Sequence, residues 1–249
     1  MLGLGASIST ATSVGSWNPS RLPGLLMWFR FNHGITLDAQ DDVTKWDNQS
    51  NDRNIGDING TTDGGATTSP VMRPDGAMYF DNAANFLRFK TSGGSNYELN
   101  LGTFSMYFRL KFDSGHTIDA EDLVEKDGSN FFKIASATST RCKIGGTRAD
   151  WTHDEISVNT KFTIGFERNS SNVCQSYVNG TAGVVDEGEG TIETATTLDL
   201  IQFGKPVADN TSGTGSHWYE IVICDNALST ENRSLLNSYL DTLWKKYYL

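Results

Sequence analysis

The chain has 249 residues, a formal net charge of −10 and 11% aromatic residues. An acidic chain lacks the clustered lysines and arginines that phosphate backbones and anionic membranes attract, so neither nucleic acid nor a membrane surface is an expected partner. No segment approaches the ~20 consecutive apolar residues of a membrane span. The composition is that of a folded globular domain.

The first sixteen residues differ from the rest, because they are small, uncharged and rich in Gly, Ser and Thr. Such a segment cannot bury enough apolar surface to fold alone. Two interpretations stay open: a disordered terminus, or an extended arm that orders against a neighbouring subunit. The arm, residues 1–16, would precede a domain of residues 17–249. Its apolar contacts would come from Leu2, Leu4, Ile8 and Val14.

From Trp17 onward the chain reads as short strands separated by turns. Residues 103–112 place five apolar side chains on one face and polar ones on the other, the period of a half-buried strand. Residues 161–167 repeat the pattern, and Asn179-Gly180 predicts a tight hairpin turn. Further strands are predicted at residues 25–31, 77–80, 86–89, 131–135, 173–178, 198–203 and 218–224. The pattern predicts an all-β, antiparallel two-sheet sandwich.

One helix is predicted, over residues 229–247, with Ser229 as its cap. Apolar residues recur at helical spacing at Leu235, Leu236, Tyr239, Leu240, Leu243 and Trp244, and Lys245 and Lys246 follow in the last turn. The stripe could pack against the sandwich or bind a partner, and packing is favoured.

Three cysteines, Cys142, Cys174 and Cys224, are too few and too dispersed for a disulfide framework or a zinc site. The first residues lack the basic region and apolar run of a secretory signal, so synthesis in a cytosol is expected. We therefore expect free thiols.

Catalysis is not expected. A retaining glycosidase needs two carboxyl groups about 5 Å apart. The nearest candidate, residues 119–125, divides its acids between the two faces of a strand and is predicted to begin as a loop. The chain has no Gly-x-Ser-x-Gly elbow, and its histidines lack metal-ligand spacing.

Carbohydrate binding is the chemistry that one segment favours. Residues 148–154 combine an aromatic ring with polar groups, so that Trp151 could stack on a sugar while Asp150 and His153 bind its hydroxyls. The alternative, which is favoured, places Trp151 at the edge of the core.

No motif requires a cofactor. Calcium is the ion that two oxygen-rich turns would suit, one containing Asp47 and Asn51 and the other containing Asp186 and Glu187. Asx residues also stabilise turns without a metal, and this simpler interpretation is favoured.

Several motifs together resemble a fold family. Pro23-Gly-Leu-Leu-Met-Trp-Phe-Arg-Phe, Lys45-Trp-Asp-Asn-Gln-Ser-Asn and Ala77-Met-Tyr-Phe-Asp-Asn are similar to the opening of concanavalin A-like, laminin-G-like jelly rolls. Ser176-Tyr-Val-Asn-Gly and Tyr219-Glu-Ile-Val-Ile-Cys-Asp-Asn-Ala-Leu-Ser resemble the closing strands. The glycine of the family's "W-x-D-x-S-G-N" turn is absent here. The resemblance covers residues 22–247 and implies a two-sheet jelly roll with a C-terminal helix.

A looser resemblance concerns the start, Met1-Leu-Gly-Leu-Gly, directly before such a jelly roll. It is similar to virion proteins of tailed phages, especially those that infect marine cyanobacteria. This resemblance implies location in a virion, as a head decoration or a tail or fibre appendage. The implied partners are other virion proteins and a host-surface glycan, with an oligomeric arrangement in the particle. A stand-alone lectin-like module is the alternative, and a glycoside hydrolase comes third.

Overall fold

A computed structural model describes residues 17–51, 55–62, 69–80, 85–186, 192, 196–204 and 215–242. In chain order the strands are β1 (Leu25–Phe29), β2 (Ile35–Leu37), β3 (Val43–Trp46), β4 (Asn59–Thr61), β5 (Val71–Met72), β6 (Met78–Phe80), β7 (Phe86–Lys90), β8 (Leu99–Leu101), β9 (Phe104–Phe112), β10 (Asp119–Asp127), β11 (Asn130–Ser136), β12 (Ser139–Ile144), β13 (Thr147–Thr152), β14 (Lys161–Arg168), β15 (Cys174–Val178), β16 (Thr181–Ala182), β17 (Val184–Val185), β18 (Leu198–Leu200), β19 (Gln202–Gly204) and β20 (Ser216–Cys224). One helix, α1 (Thr230–Thr242), follows, and a short 3-10 turn, Pro19–Arg21, precedes β1.

The strands form two large sheets. The eight-stranded sheet has the order β16-β15-β14-β9-β20-β6-β5, with β1 also paired to β20. The ten-stranded sheet has the order β17-β13-β12-β11-β10-β19-β7-β4-β3-β2, and β18 and β8 form a separate pair. All these strand pairs are antiparallel. The predicted two-sheet antiparallel jelly-roll sandwich is confirmed.

Strand β9 shows how the sequence builds the core. Its alternating side chains Phe104, Met106, Phe108, Leu110 and Phe112 are at most 1% exposed and lie between the sheets. Burying a phenylalanine side chain completely stabilises a fold by about 1.5–3 kcal/mol. The alternation predicted at residues 103–112 is therefore confirmed.

The other face of β9 is also buried, although its residues are polar. Tyr107 is fully buried, and Ser105 and Arg109 are 1% and 6% exposed. The cause is α1, because Arg109 donates to Asp241 of that helix at 2.8 Å. Period-two alternation predicts only one covered face, and the helix supplies the second cover.

Helix α1 packs against the sandwich, as the favoured interpretation of its apolar stripe has it. Leu236 and Leu240 are fully buried in a cluster under the helix. Ser229 accepts from the backbone N–H of Asn232 at 3.2 Å, which confirms the cap. Arg233 donates two hydrogen bonds, of 3.0 and 2.7 Å, to the carboxylate of Glu167 on β14. The last residues of the predicted helix, 243–247, lie outside the described residues, as does the arm, residues 1–16.

The predicted hairpin at Asn179-Gly180 joins β15 to β16. Both residues have positive φ, 50° and 83°, which the tight turn requires. The Asn179 side chain also accepts from the backbone N–H of Thr163 at 2.9 Å, so the turn is tied to the neighbouring β14.

Two strand predictions need correction. The acidic segment 119–125, predicted to begin as a loop, is strand from Asp119 onward. Its charged side chains can be buried there because they have hydrogen-bond partners: Glu121 Oε1, for example, lies 2.7 Å from His116 Nε2. Residues 198–203, predicted as one strand, form β18 and β19 of different sheets, because the chain changes sheet at Ile201.

All three cysteines are free, as expected, and all three are buried. No helix among the described residues is long and apolar enough to cross a membrane.

Candidate functional site

Strand β13 separates two residues that the sequence had suggested for one site. Successive residues on a strand point to opposite faces, so Asp150 and Trp151 cannot act together. Trp151 is fully buried, and its ring meets Phe166 edge-on in the core at a centroid distance of 5.4 Å. The prediction that Trp151 offers a surface for sugar stacking is wrong, and the core position is confirmed.

Asp150 lies on the outer face of the ten-stranded sheet, where two arginines hold it. Arg141 binds both of its carboxylate oxygens, at 2.7 and 3.0 Å, and Arg148 donates to Oδ2 at 3.1 and 2.6 Å. Burial alone would raise the pKa of Asp150, but the hydrogen bonds from Arg141 and Arg148 outweigh it and lower that pKa. Asp150 therefore stays ionised and orders the two guanidinium groups.

His153 lies beyond the end of β13 and lines a separate cavity of about 360 Å³. We call this cavity the His153 pocket. Its lining residues are Thr152, His153, Asp154, Glu155, Val178, Asn179, Thr181, Ala182 and Val184. The β15–β16 hairpin and the start of β17 form its other wall. The pocket combines hydroxyl, carboxylate and amide groups with three aliphatic side chains.

The His153 ring forms a rigid and neutral wall of this pocket. Its Nε2 shares a hydrogen bond with Thr140 Oγ1 at 3.0 Å, and Thr140 in turn donates to Ser176 at 2.9 Å. Burial lowers the pKa of His153 to about 4, against a smaller opposite effect of Asp154. The imidazole is thus uncharged at neutral pH.

Gly183 allows the hairpin to close against this ring. A Cβ atom there would lie 2.3 Å from Cε1 of His153, far inside van der Waals contact. The distance explains why the shape of the pocket depends on a residue without a side chain. Val184, next to it, is 72% exposed at the pocket.

Solved structures of known proteins share this architecture. Domain 4 of AbnA, an extracellular arabinanase from Geobacillus stearothermophilus solved with arabinotriose, matches 86% of this chain and 98% of its own, with a TM-score of 0.54 and 14% identity. The binding domain of Paraclostridial Mosquitocidal Protein 1 matches 89% of this chain and 53% of its own, with a TM-score of 0.55 and 16% identity. Trypanosoma rangeli sialidase in complex with sialic acid matches 88% of this chain and 33% of its own, with a TM-score of 0.54 and 10% identity.

The chain has a concanavalin-like β-sandwich fold. It spans only about a third of the sialidase chains that it matches. No protein-family model matches the sequence, and no curated protein matches it. At these identities the likeness extends to the fold alone.

Within this concanavalin-like sandwich the structure describes three of the four predicted metal residues, Asp47, Asn51 and Asp186. Asp47 pairs with Lys45 at 2.9 Å, and Asn51 is exposed. Asp186 donates its backbone N–H to Asp150, and Glu187 lies outside the described residues. In the part of the chain that the structure describes, no group of three or more His, Cys, Asp or Glu residues could hold a metal ion.

Asn48 belongs to the oxygen-rich turn that the sequence indicates around Asp47, and its side chain shapes that turn. Asn48 accepts from the backbone N–H groups of Trp28 and Ser50, at 2.8 and 3.0 Å, and is 8% exposed. An Asx side chain bonded in this way stabilises a turn without a metal, as the simpler interpretation has it. In the "W-x-D-x-S" resemblance Asn48 takes the position of the aspartate, since Trp46 and Ser50 match the first and last residues of the motif.

Three acids in the middle of β10 are not available to a substrate. Glu121, Asp122 and Glu125 are 3%, 4% and 2% exposed. A glycosidic bond could not reach two of them at once from solvent. The segment supports the sheet instead.

Proposed function

We propose that this protein is a non-enzymatic binding domain that contacts carbohydrate through the His153 pocket and works as a surface protein of a phage virion. The observation that carries the binding proposal is the composition of that pocket. Its carboxylates, amide and hydroxyls suit the hydroxyl groups of a sugar, and its aliphatic side chains suit the C–H face of the ring.

The lining residues divide these tasks by position. Val178, Ala182 and Val184 contribute the aliphatic surface, and Asp154 and Glu155 are exposed acceptors on the facing segment. A carboxylate that accepts hydroxyl hydrogen bonds gives charge-assisted contacts, which are stronger than neutral ones. A volume of about 360 Å³ lies at the lower end of the range for small-ligand sites, the scale of one sugar ring.

The expected affinity is low. No Trp, Tyr or Phe is among the described residues that line the pocket, so the stacking contribution of an aromatic platform is missing. We expect a dissociation constant of about 1 mM for a single site. Display in many copies would compensate, because avidity can raise overall binding by about 10²–10⁴.

This need for many copies supports a location in a virion. Such a location is what the resemblance of the N-terminal segment and the jelly roll to phage virion proteins implies. In that setting the protein is a head decoration or a tail or fibre appendage. Residues 1–16 anchor it to other virion proteins in an oligomeric array, and a host-surface glycan is the external partner. The arabinotriose held by the structure of AbnA domain 4 supports a sugar as a ligand that this fold accommodates.

Several observations support the absence of catalysis. Glu121, Asp122 and Glu125 of β10 are buried, and binding at the His153 pocket requires no cofactor. Nucleic acid and membranes are not proposed as partners, because the net charge is −10. Incubation with oligosaccharides followed by chromatography should show no cleavage; released sugar would favour the hydrolase alternative.

The pocket is tested by titrating a panel of neutral monosaccharides while following amide NMR shifts. Asp154→Asn should weaken binding about tenfold, the effect of losing one charge-assisted hydrogen bond. Asp119→Asn is the matched control, since Asp119 is also exposed and lies outside the pocket. Equal binding by both variants, or shifts confined to another surface, would refute the pocket.

The virion role is tested in purified particles. The protein should copurify with them, and deletion of residues 1–16 should abolish incorporation while the domain still folds. Normal assembly of the truncated protein would refute anchoring by the arm. Glycan binding without particle association would favour the stand-alone lectin-like module.

A further inference from the structure

The outer face of the ten-stranded sheet carries two adjacent rows of paired residues on its central strands. The first row, across β13, β12, β11, β10, β19 and β7, is Arg148, Lys143, Phe131, Glu125, Gln202 and Arg88. The second row, across β13, β12, β11 and β10, is Asp150, Arg141, Lys133 and Asp122. Paired residues on adjacent strands share a face, so these side chains form one surface.

An aromatic ring between two lysines lies at the centre of this surface. The ammonium groups of Lys133 and Lys143 lie 5.2 and 5.7 Å from the centroid of the Phe131 ring. Phe131 is only 7% exposed, whereas both lysines are partly exposed. We call these three residues the Phe131 patch. Its accessible part is cationic, although the protein as a whole carries a net charge of −10.

The two lysines differ from the neighbouring arginines in having no carboxylate partner. Arg141 and Arg148 are both engaged by Asp150. Lys143 donates to the backbone oxygen of Gly128 at 3.3 Å, and among the described residues neither lysine lies within 4 Å of a carboxylate. Two ammonium groups without a carboxylate partner among the described residues therefore lie beside one ring and can bind an anionic ligand.

We propose that the Phe131 patch is a second binding site, separate from the His153 pocket, for a glycan chain that carries carboxylate groups. Lys133 and Lys143 bind the carboxylates of acidic sugar residues. The diagonal positions of these lysines on β11 and β12 are about 7–8 Å apart, so both reach the same stretch of chain. The apolar stems of the lysines and the ring beneath them supply contact for C–H groups.

The balance of charge on this face selects against denser polyanions. Five cationic side chains share the two rows with three carboxylates, those of Asp122, Glu125 and Asp150. Asp122 and Glu125 are nearly buried, so they bind no ligand directly but reduce the positive potential. A nucleic acid or a heavily sulfated chain needs many cations in series to displace its counterions. A chain with one carboxylate per sugar fits two lysines that have no carboxylate partner among the described residues.

The test uses the full-length protein and three carboxylated probes: oligogalacturonate, alginate oligomers and oligosialic acid. Binding to at least one is expected, and it should weaken as sodium chloride is raised because exposed charge pairs are screened. The same oligomer with its carboxylates methyl-esterified should bind at least tenfold more weakly. Failure of all three probes, or equal binding of the ester, would overturn the proposal.

Variants locate the site. Lys133→Gln and Lys143→Gln should each weaken binding about three- to fivefold, the range of single exposed charge pairs. Lys111→Gln removes the same charge from β9 of the other sheet and should have no effect. The double variant with arginine at both patch positions should retain binding. If the glutamine variants change only the unfolding midpoint, the lysines merely cover Phe131 and the proposal fails.

Two further comparisons separate this site from alternatives. Dextran sulfate or duplex DNA binding as tightly as the best carboxylated probe would show a general polyanion surface and overturn the assignment. Asp154→Asn, which alters the His153 pocket, should leave binding of the carboxylated probe unchanged. If Asp154→Asn lost binding of both the neutral sugar and the carboxylated probe, the two ligands would share one site and the proposal of a second site would fail. Loss of neutral-sugar binding alone is the result expected for two separate sites.

Discussion

Replacing Glu220 by glutamine should remove a pH-dependent weakness of the fold. Glu220 lies on β20 with no exposed surface. Its Oε1 accepts from Trp28 Nε1 at 2.6 Å, and its Oε2 accepts from the backbone N–H of Phe31 at 3.5 Å. Burial raises the pKa of Glu220 from 4.5 to about 7, although hydrogen bonds from Trp28 and Tyr239 oppose the change.

The sign follows from the direction of this pKa change. A carboxyl group whose pKa is higher in the folded state binds more protons there than in the unfolded chain, so its ionisation opposes folding. The stability associated with protonated Glu220 is complete below about pH 4.5 and is lost as the pH rises through about 7. At 1.36 kcal/mol per pH unit, the loss is about 3 kcal/mol.

Urea unfolding followed by circular dichroism between pH 4 and pH 8 measures this effect. The stability of Glu220→Gln relative to the natural protein should rise by about 3 kcal/mol across that interval. Glu231→Gln, an exposed acid of α1, is the control and should show no such trend. A relative stability of Glu220→Gln that is constant with pH would refute the reasoning.

Three further predictions concern the core, the pocket and metals. Trp151→Ala should lower the free energy of unfolding by about 3–5 kcal/mol in urea titrations, because the indole is fully buried; a variant of natural stability would contradict the core position. Gly183→Ala should lower the free energy of unfolding by about 1–3 kcal/mol in the same assay, because the new methyl group would overlap His153. Unchanged stability would show that the hairpin can move away from the ring. Addition of EDTA should change the melting temperature by no more than about 1 °C. An ion bound to the native state would raise that temperature, so a larger fall on adding EDTA would reveal a metal site.

The elements predicted best from the sequence are those with a strong apolar alternation. Strands β9 and β14 bury a large apolar side chain, most often phenylalanine, at every second position. The hairpin at Asn179 was equally clear, because few residue pairs other than Asn-Gly adopt two consecutive positive φ angles at little cost.

Two of the strands missed from the sequence, β12 and β13, have a charged outer face and an inner face of mixed size. β12 buries Thr140, Cys142 and Ile144, and β13 buries Ala149 and Trp151. Neither strand presents a run of large apolar residues, so each was interpreted as a loop or left unassigned. The error at the candidate site followed directly, since recognising β13 as a strand would have placed Asp150 and Trp151 on opposite faces.

The Phe131 patch could not be predicted from sequence because its members come from different strands. Phe131 and Lys133 belong to β11 and Lys143 belongs to β12, and only the register between those strands places them together. The His153 pocket likewise needs β17 beside β13, and the pairing of Thr152 with Val184 is not visible in the sequence. Register is a tertiary property of short, polar strands.

The position of β20 has a consequence for synthesis of the protein. This strand lies between β9 on one side and both β6 and β1 on the other, and the bond between Trp28 and Glu220 joins residues 192 positions apart. A nascent chain that stops before residue 216 lacks the strand that connects its first strands to the rest of the eight-stranded sheet. The ribosome must therefore synthesise β20 before the sandwich can close, and products that terminate before residue 216 should expose unpaired edges of β9 and β1, which favour aggregation.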